Sequence, residues 1–331
     1  MSPRIFSARG AFAVVLCVFA LSALGSPGEN TPAARAFINE GVRLFRARRY
    51  AEALDSFGKA RQEDPRDADA ELLSGLASWE LRRLSEAIDH FQRSIELRPS
   101  DPSARTHLCR AYWELGRYGD AATACRKAAE TAPTSSSAFN VAGSALFELG
   151  RFEEAREMFL RAIDISPASA AFYYNLSGTQ AAMGQLPEAV ESVRTAIRLS
   201  PDFADARVKL GFYFIALRSY RQSIETLEQV IDHNPEDERA YLGIAIAEKA
   251  LGRFDKAMRA ARKAITLRPS FALAHYVLGI LHFETGDMRS ALGVEETLRL
   301  LDSALAEDYG RFLRSRYVVA ADDVLAIGGS R

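Results

Sequence analysis

Seven prolines follow one another at an interval of 34 residues: Pro65, Pro99, Pro133, Pro167, Pro201, Pro235 and Pro269. A period of this length, sustained through most of a 331-residue chain, means one small supersecondary unit stacked on copies of itself. It limits the architecture before any single residue is read for chemistry. Laid out at 34 residues per row, the chain repeats in residue character as well. The third row carries Gly116, Tyr118, Ala121, Ala128 and Pro133, and the fourth restates them as Gly150, Phe152, Ala155, Ala162 and Pro167.

Each row holds two apolar-periodic stretches of about a dozen residues, which is the length and period of amphipathic helices rather than strands. A turn splits them. It carries Gly116, Gly150, Gly184, Gly252 and Gly286 just past the first helix, where a left-handed backbone is favourable without a Cβ. Arg48, Arg82 and Arg218 take this place in three rows, which costs little if those turns are shaped differently. The row-ending proline cannot continue a helix, and Asp67, Asp101, Ser135, Ser169, Asp202, Asp237 and Ser270 are the expected N-caps of the helices that follow.

Small residues recur where helices must approach closely, at Gly41, Gly75, Gly143, Gly211 and Gly279 in the first helix and at Ala53, Ala87, Ala121, Ala155, Ala189 and Ala257 in the second. Tyr50, Tyr118, Phe152, Tyr220 and Phe254 open the second helix, and Phe57, Phe91 and Phe159 lie one turn past its alanine. A helix pair this small cannot bury its apolar face alone, so each row must stack on its neighbours. The pattern resembles the tetratricopeptide repeat from Ala34 to about Leu305. The resemblance implies an all-α, right-handed superhelical solenoid of helix-turn-helix repeats. Its eight repeats are expected at 34–67, 68–101, 102–135, 136–169, 170–203, 204–237, 238–271 and 272–305, read as one domain. Gln180, Ser223 and Leu227 depart from the pattern in the fifth and sixth rows, and Ser303 replaces the last proline. A terminal helix with Glu307, Asp308, Arg311 and Arg314 on its wet face is expected within 306–331.

The net charge of −1 becomes two units more negative without residues 1–25, which carry Arg4 and Arg9 and no acid. Arginines alternate with acids along outward faces, so no basic stripe for nucleic acid emerges. Arg4 and Arg9 precede an apolar run from Ala11 to Gly25, then Ser26, Pro27 and Gly28. That run suits a secretory signal peptide over 1–25, cleaved after Gly25, with 26–33 as a short linker. Export to the periplasm or outside the cell follows. An uncleaved anchor over 11–25 is the alternative, and the one route to a membrane.

Beyond Cys17 two cysteines remain, Cys109 at the first-helix glycine position and Cys125 at the second-helix phenylalanine position of the third row. Antiparallel pairing turns these two sites toward each other. They read either as a bridge in an oxidising compartment or as two small apolar packing residues.

No metal spacing, phosphate loop or nucleophile elbow is present, and the expected protein is not an enzyme and takes no cofactor. The resemblance assigns the second, fifth, ninth, twelfth and thirteenth positions of each first helix to a concave groove. The twelfth supplies Phe45, Trp79, Trp113 and Phe147, and the thirteenth Glu80, Glu114 and Glu148. Arg110, Asn140, Tyr174, Phe212 and Ile246 complete the expected lining. An aromatic stripe edged with carboxylates implies a scaffold that docks a protein or peptide segment with apolar and basic residues. The alternative is a self-associating component of a cell-envelope assembly, with the groove or the 317–327 tail packed on a second copy.

Overall fold

The computed structural model describes the backbone of residues 31–131 and 133–328 and the side chains as far as residue 315. The expected signal segment, Cys17, most of the linker and the side chains of the 317–327 tail lie outside the described residues. Within them are seventeen helices and no strand. They pair as α1 (Pro32–Arg46) with α2 (Tyr50–Glu63), α3 (Ala68–Glu80) with α4 (Leu84–Leu97), α5 (Pro102–Glu114) with α6 (Tyr118–Thr131), and α7 (Ser136–Glu148) with α8 (Phe152–Ile165). The series continues as α9 (Ala170–Ala182) with α10 (Leu186–Leu199), α11 (Ala204–Ala216) with α12 (Tyr220–His233), α13 (Glu238–Ala250) with α14 (Phe254–Leu267), and α15 (Ala272–Glu284) with α16 (Met288–Leu301). A single helix, α17 (Ser303–Gly328), follows. The fold is an all-α repeat solenoid.

Its packing divides into two compact units, one ending at Ser192 and the other beginning at Val193, where one domain was expected. The division falls in α10, in the repeat whose first helix carries Gln180 at a large apolar position. In the first unit the core runs through Phe57, Trp79, Phe91, Tyr112 and Phe159. In the second it runs through Leu242, Ala261, Phe271, Val277 and Leu281, with a terminal cluster around Leu298, Tyr309 and Leu313.

All eight turns between paired helices have the same shape. The five glycines have φ between 73° and 85°, and Arg48, Arg82 and Arg218 adopt φ of 60°, 61° and 59°. The expectation that the arginine turns differ is therefore corrected. At Arg82 the amide donates to Trp79 O and the next amide, Arg83 N, to Ser78 O, as Gly116 and Arg117 do in the following repeat. The carbonyls left open at the helix end force this geometry whatever the side chain. A left-handed arginine costs about 1 kcal/mol relative to glycine.

Caps follow the sequence with two exceptions. Asp67, Asp101, Ser135 and Asp237 accept hydrogen bonds from the first-turn amides of the helices they open, and Ser169 caps without one. Phe203 and Phe271, rather than Asp202 and Ser270, hold the cap position. At Phe271 burial decides: the ring is 6% exposed beneath the Arg268 guanidinium, 3.7 Å from its centroid. The second helices of the first four repeats open on one recurrent ion pair, Arg49–Glu52, Arg83–Glu86, Arg117–Asp120 and Arg151–Glu154. The acid in the first turn also suits the helix dipole.

The first-helix glycines are holes filled from the second helix. A Cβ on Gly75 would lie 2.5 Å from the Phe91 ring, and one on Gly143 2.7 Å from Phe159. Gly279 breaks this rule because its own second helix offers Glu295. Tyr309 of α17 fills the hole instead, donating its hydroxyl to Ala291 O at 2.9 Å. The terminal helix thus completes the last repeat. Glu307, Asp308, Arg311 and Arg314 stay exposed on its far side, which is what a solenoid end requires.

Candidate functional site

In the first unit α5 and α7 lie with a shallow pocket between them, lined by Arg110, Trp113 and Glu114 of α5 and by Val141 and Ser144 of α7. Three of the five are expected groove residues. Ser144 stands at the ninth position of its row, which already marked it. Val141, at the sixth, carried no sequence signal.

The other expected groove residues are placed differently. Trp79 is 8% exposed, inside the core, with its ring edge-on to Phe91 and His107. Its Nε1–H donates to Glu114 Oε2 at 2.9 Å, and the Arg110 guanidinium lies 4.6 Å from its ring centroid. Trp79 therefore joins two repeats, and the expectation that it faces water in the groove is corrected. Phe45 is buried as well, packing edge-to-face on Tyr50. Phe147, half-buried, leans on Phe152. In both repeats the twelfth-position aromatic closes on the aromatic that opens its own second helix, which takes ring area out of the groove. Asn140 is buried and accepts from Asn175 Nδ2 at 2.9 Å. Tyr174 is also buried. In the second unit Phe212 and Ile246 are half-buried against the local core.

Electrostatically the edge is less uniform than its three glutamates imply. Glu114 Oε2 accepts from Arg82 Nη1 at 2.9 Å as well as from Trp79, so its charge is largely spent within the fold. This bridge gives Arg82 a use at its left-handed turn that glycine could not supply. Glu80 and Glu148 remain exposed. His107, stacked on Phe91 at 5.6 Å, is pushed down to about 3 by burial and by the neighbouring Arg110 charge, so it is neutral at pH 7.

The pocket rests on Cys109 and Cys125, which form a disulfide with Cα atoms 5.0 Å apart. Trp113 packs against the cluster of Cys109, Cys125, Val141 and Ala142, so both apolar walls of the pocket are built on the bridge. The pair occupies the site where the adjoining repeats place Gly75 with Phe91 and Gly143 with Phe159. Among the described residues no three His, Cys, Asp or Glu side chains are arranged to hold a metal ion, and no helix is long and apolar enough to cross a membrane.

The sequence profile described as tetratricopeptide repeat matches residues 38–102, 108–170, 208–270 and 242–308, and a second profile of that description matches 146–210. No curated protein sequence matches the chain. Among solved structures, a tetratricopeptide repeat protein from Parabacteroides merdae ATCC 43184 superposes with a TM-score of 0.60, at 13% identity, over 76% of this chain and 99% of that one. The pilF protein of Pseudomonas aeruginosa gives 0.54 at 20% identity, over 62% and 94%. MamA from Desulfovibrio magneticus RS-1 gives 0.50 at 19%, over 53% and 98%. At such identities these likenesses establish the fold alone.

Proposed function

The chain belongs to the tetratricopeptide repeat family, generally non-catalytic scaffolds that bind protein or peptide partners, and from that premise we propose that its first unit docks a partner segment at the α5–α7 pocket. The observation that carries this reading is the half-buried Trp113 face, held beside Val141 on a covalently fixed base. A fixed apolar wall lowers the ordering cost of binding. Exposed Glu80 and Glu148, in the repeats before and after Trp113, favour a segment with Lys or Arg beside its apolar anchor and disfavour an acidic one.

A peptide array tests the proposal. Purified chain should collect on segments that place Lys or Arg next to Phe, Leu or Trp, and a Trp113→Ala chain with unchanged helix content should lose them. Retention by acidic–apolar segments alone would contradict it.

The reading also puts the protein outside the cytoplasm. Arg4 and Arg9 ahead of an apolar run support export, and so does a buried disulfide of the kind that persists in oxidising compartments. N-terminal sequencing of exported material should begin at Ser26. A start at Met1 in a membrane fraction would favour the anchor over 11–25.

A further inference from the structure

The second helix of every repeat turns one stripe directly away from its packed face. On α12 this stripe is Arg221, Glu225, Glu228 and Asp232, opposite buried Ser223, Ile224, Leu227 and Val230. On α14 it is Asp255, Arg259, Arg262 and Thr266, opposite buried Ala257, Ala260, Ala261 and Ala264. The spacing of four, three and four residues keeps each set on one helical face. All eight are exposed. At the first three positions the two helices carry opposite charge at places 34 residues apart: Arg221 against Asp255, Glu225 against Arg259, Glu228 against Arg262. Among the described residues, the ion pairs of this unit use none of the six. A cationic stripe is not a property of the repeat, since α8 carries Glu153, Glu157, Leu160 and Asp164 at these positions.

We propose that α12 and α14 together form an isologous docking face for a second copy of this chain. As second helices of successive repeats they run in the same direction, so equivalent positions lie at equal height. A two-fold axis parallel to both, and midway between them, sets α12 over the other copy's α14 while setting α14 over its α12. Equivalent positions then face each other, and six opposite-charge pairs form at once. A two-fold axis across the helices would instead set each helix antiparallel on its own copy, with Glu225 against Glu228 on α12 and Arg259 against Arg262 on α14. The charge pattern selects the first arrangement and rejects the second. With few apolar groups on either stripe, the contact is weak, reversible and sensitive to salt.

Sedimentation equilibrium of the purified chain over a range of concentrations tests this face independently of the pocket. A monomer–dimer equilibrium is expected at low salt, with Kd rising at least about tenfold in half-molar NaCl. Glu225→Arg with Glu228→Arg, or Arg259→Glu with Arg262→Glu, should each weaken the dimer at least about tenfold with unchanged helix content. Mixing the two double variants should restore a one-to-one dimer, because at the two altered positions one variant presents only Arg and the other only Glu, while Arg221 and Asp255 still face each other. The quadruple variant should restore a homodimer. A monomer throughout, a dimer indifferent to either double reversal, or reversals that neither mixing nor the quadruple variant rescues would overturn the proposal.

Discussion

Trp79 donates its indole N–H to a carboxylate oxygen of Glu114, 2.9 Å away and one repeat further along the chain. The indole is a structural joint between repeats, capped on one face by Arg110. Trp79→Ala should therefore cost about 3–5 kcal/mol in urea unfolding, through the cavity it leaves. Trp79→Phe should cost less, since part of the ring volume stays while the hydrogen bond is lost. A wild-type unfolding midpoint for Trp79→Ala would show that the ring is not in the core.

His107 makes the first unit sensitive to acid. Its folded value of about 3 lies below the ordinary histidine value of 6.5, so the unfolded chain takes up the proton first as pH falls. Its contribution is intact above pH 6.5 and lost progressively down to about pH 3. At pH 5 the loss is roughly 2 kcal/mol. His107→Phe should flatten stability between pH 7 and 5, as followed by urea midpoints. An equal pH dependence in the variant would assign the acid sensitivity to other groups.

The arginine turns separate backbone strain from side-chain use. Arg218→Gly should stabilise by about 0.5–1 kcal/mol, because it relieves a φ of 59°. Arg82→Gly relieves the same strain but removes the hydrogen bond to Glu114, so its gain should be smaller or absent. Thermal melts of the two variants compare them directly, and equal gains would mean the Arg82–Glu114 contact adds nothing.

The Cys109–Cys125 bridge closes a loop with a sequence separation of 16, for which a contribution of about 3 kcal/mol is expected. Cys109→Ser with Cys125→Ser should lower stability by about that amount. Cys109→Gly with Cys125→Phe should recover part of it, by restoring the packing of the adjoining repeats. Peptide mapping of the exported protein without reductant should find the pair linked, and two free thiols there would return both to a packing role.

The solenoid was legible because a 34-residue period, turn glycines and row-ending prolines each fix a backbone feature locally. Site exposure was not. Whether Phe45 faces a groove or closes on Tyr50 is a choice of rotamer that position within a repeat does not encode. The pocket emerged in part, since Arg110, Trp113 and Glu114 stand at inner positions of one helix. Glu114 still looked like a free edge charge, because its partners lie 32 and 35 residues away. Tyr309 was missed although its signal was present: Gly279 has Glu295, not an apolar ring, at the place that fills the hole in other repeats.

The most direct test of the docking site uses the two tryptophans of the chain, one in the core and one lining the pocket. In a Trp79→Phe background the emission comes from Trp113 alone. Titration with a decapeptide carrying Phe between lysines should shift that emission saturably and weaken as salt rises, while the same peptide with glutamates in place of the lysines should leave it unchanged. Saturable binding of the glutamate peptide with equal affinity, or no response to the lysine peptide in a chain that keeps its helix content, would contradict docking at this pocket.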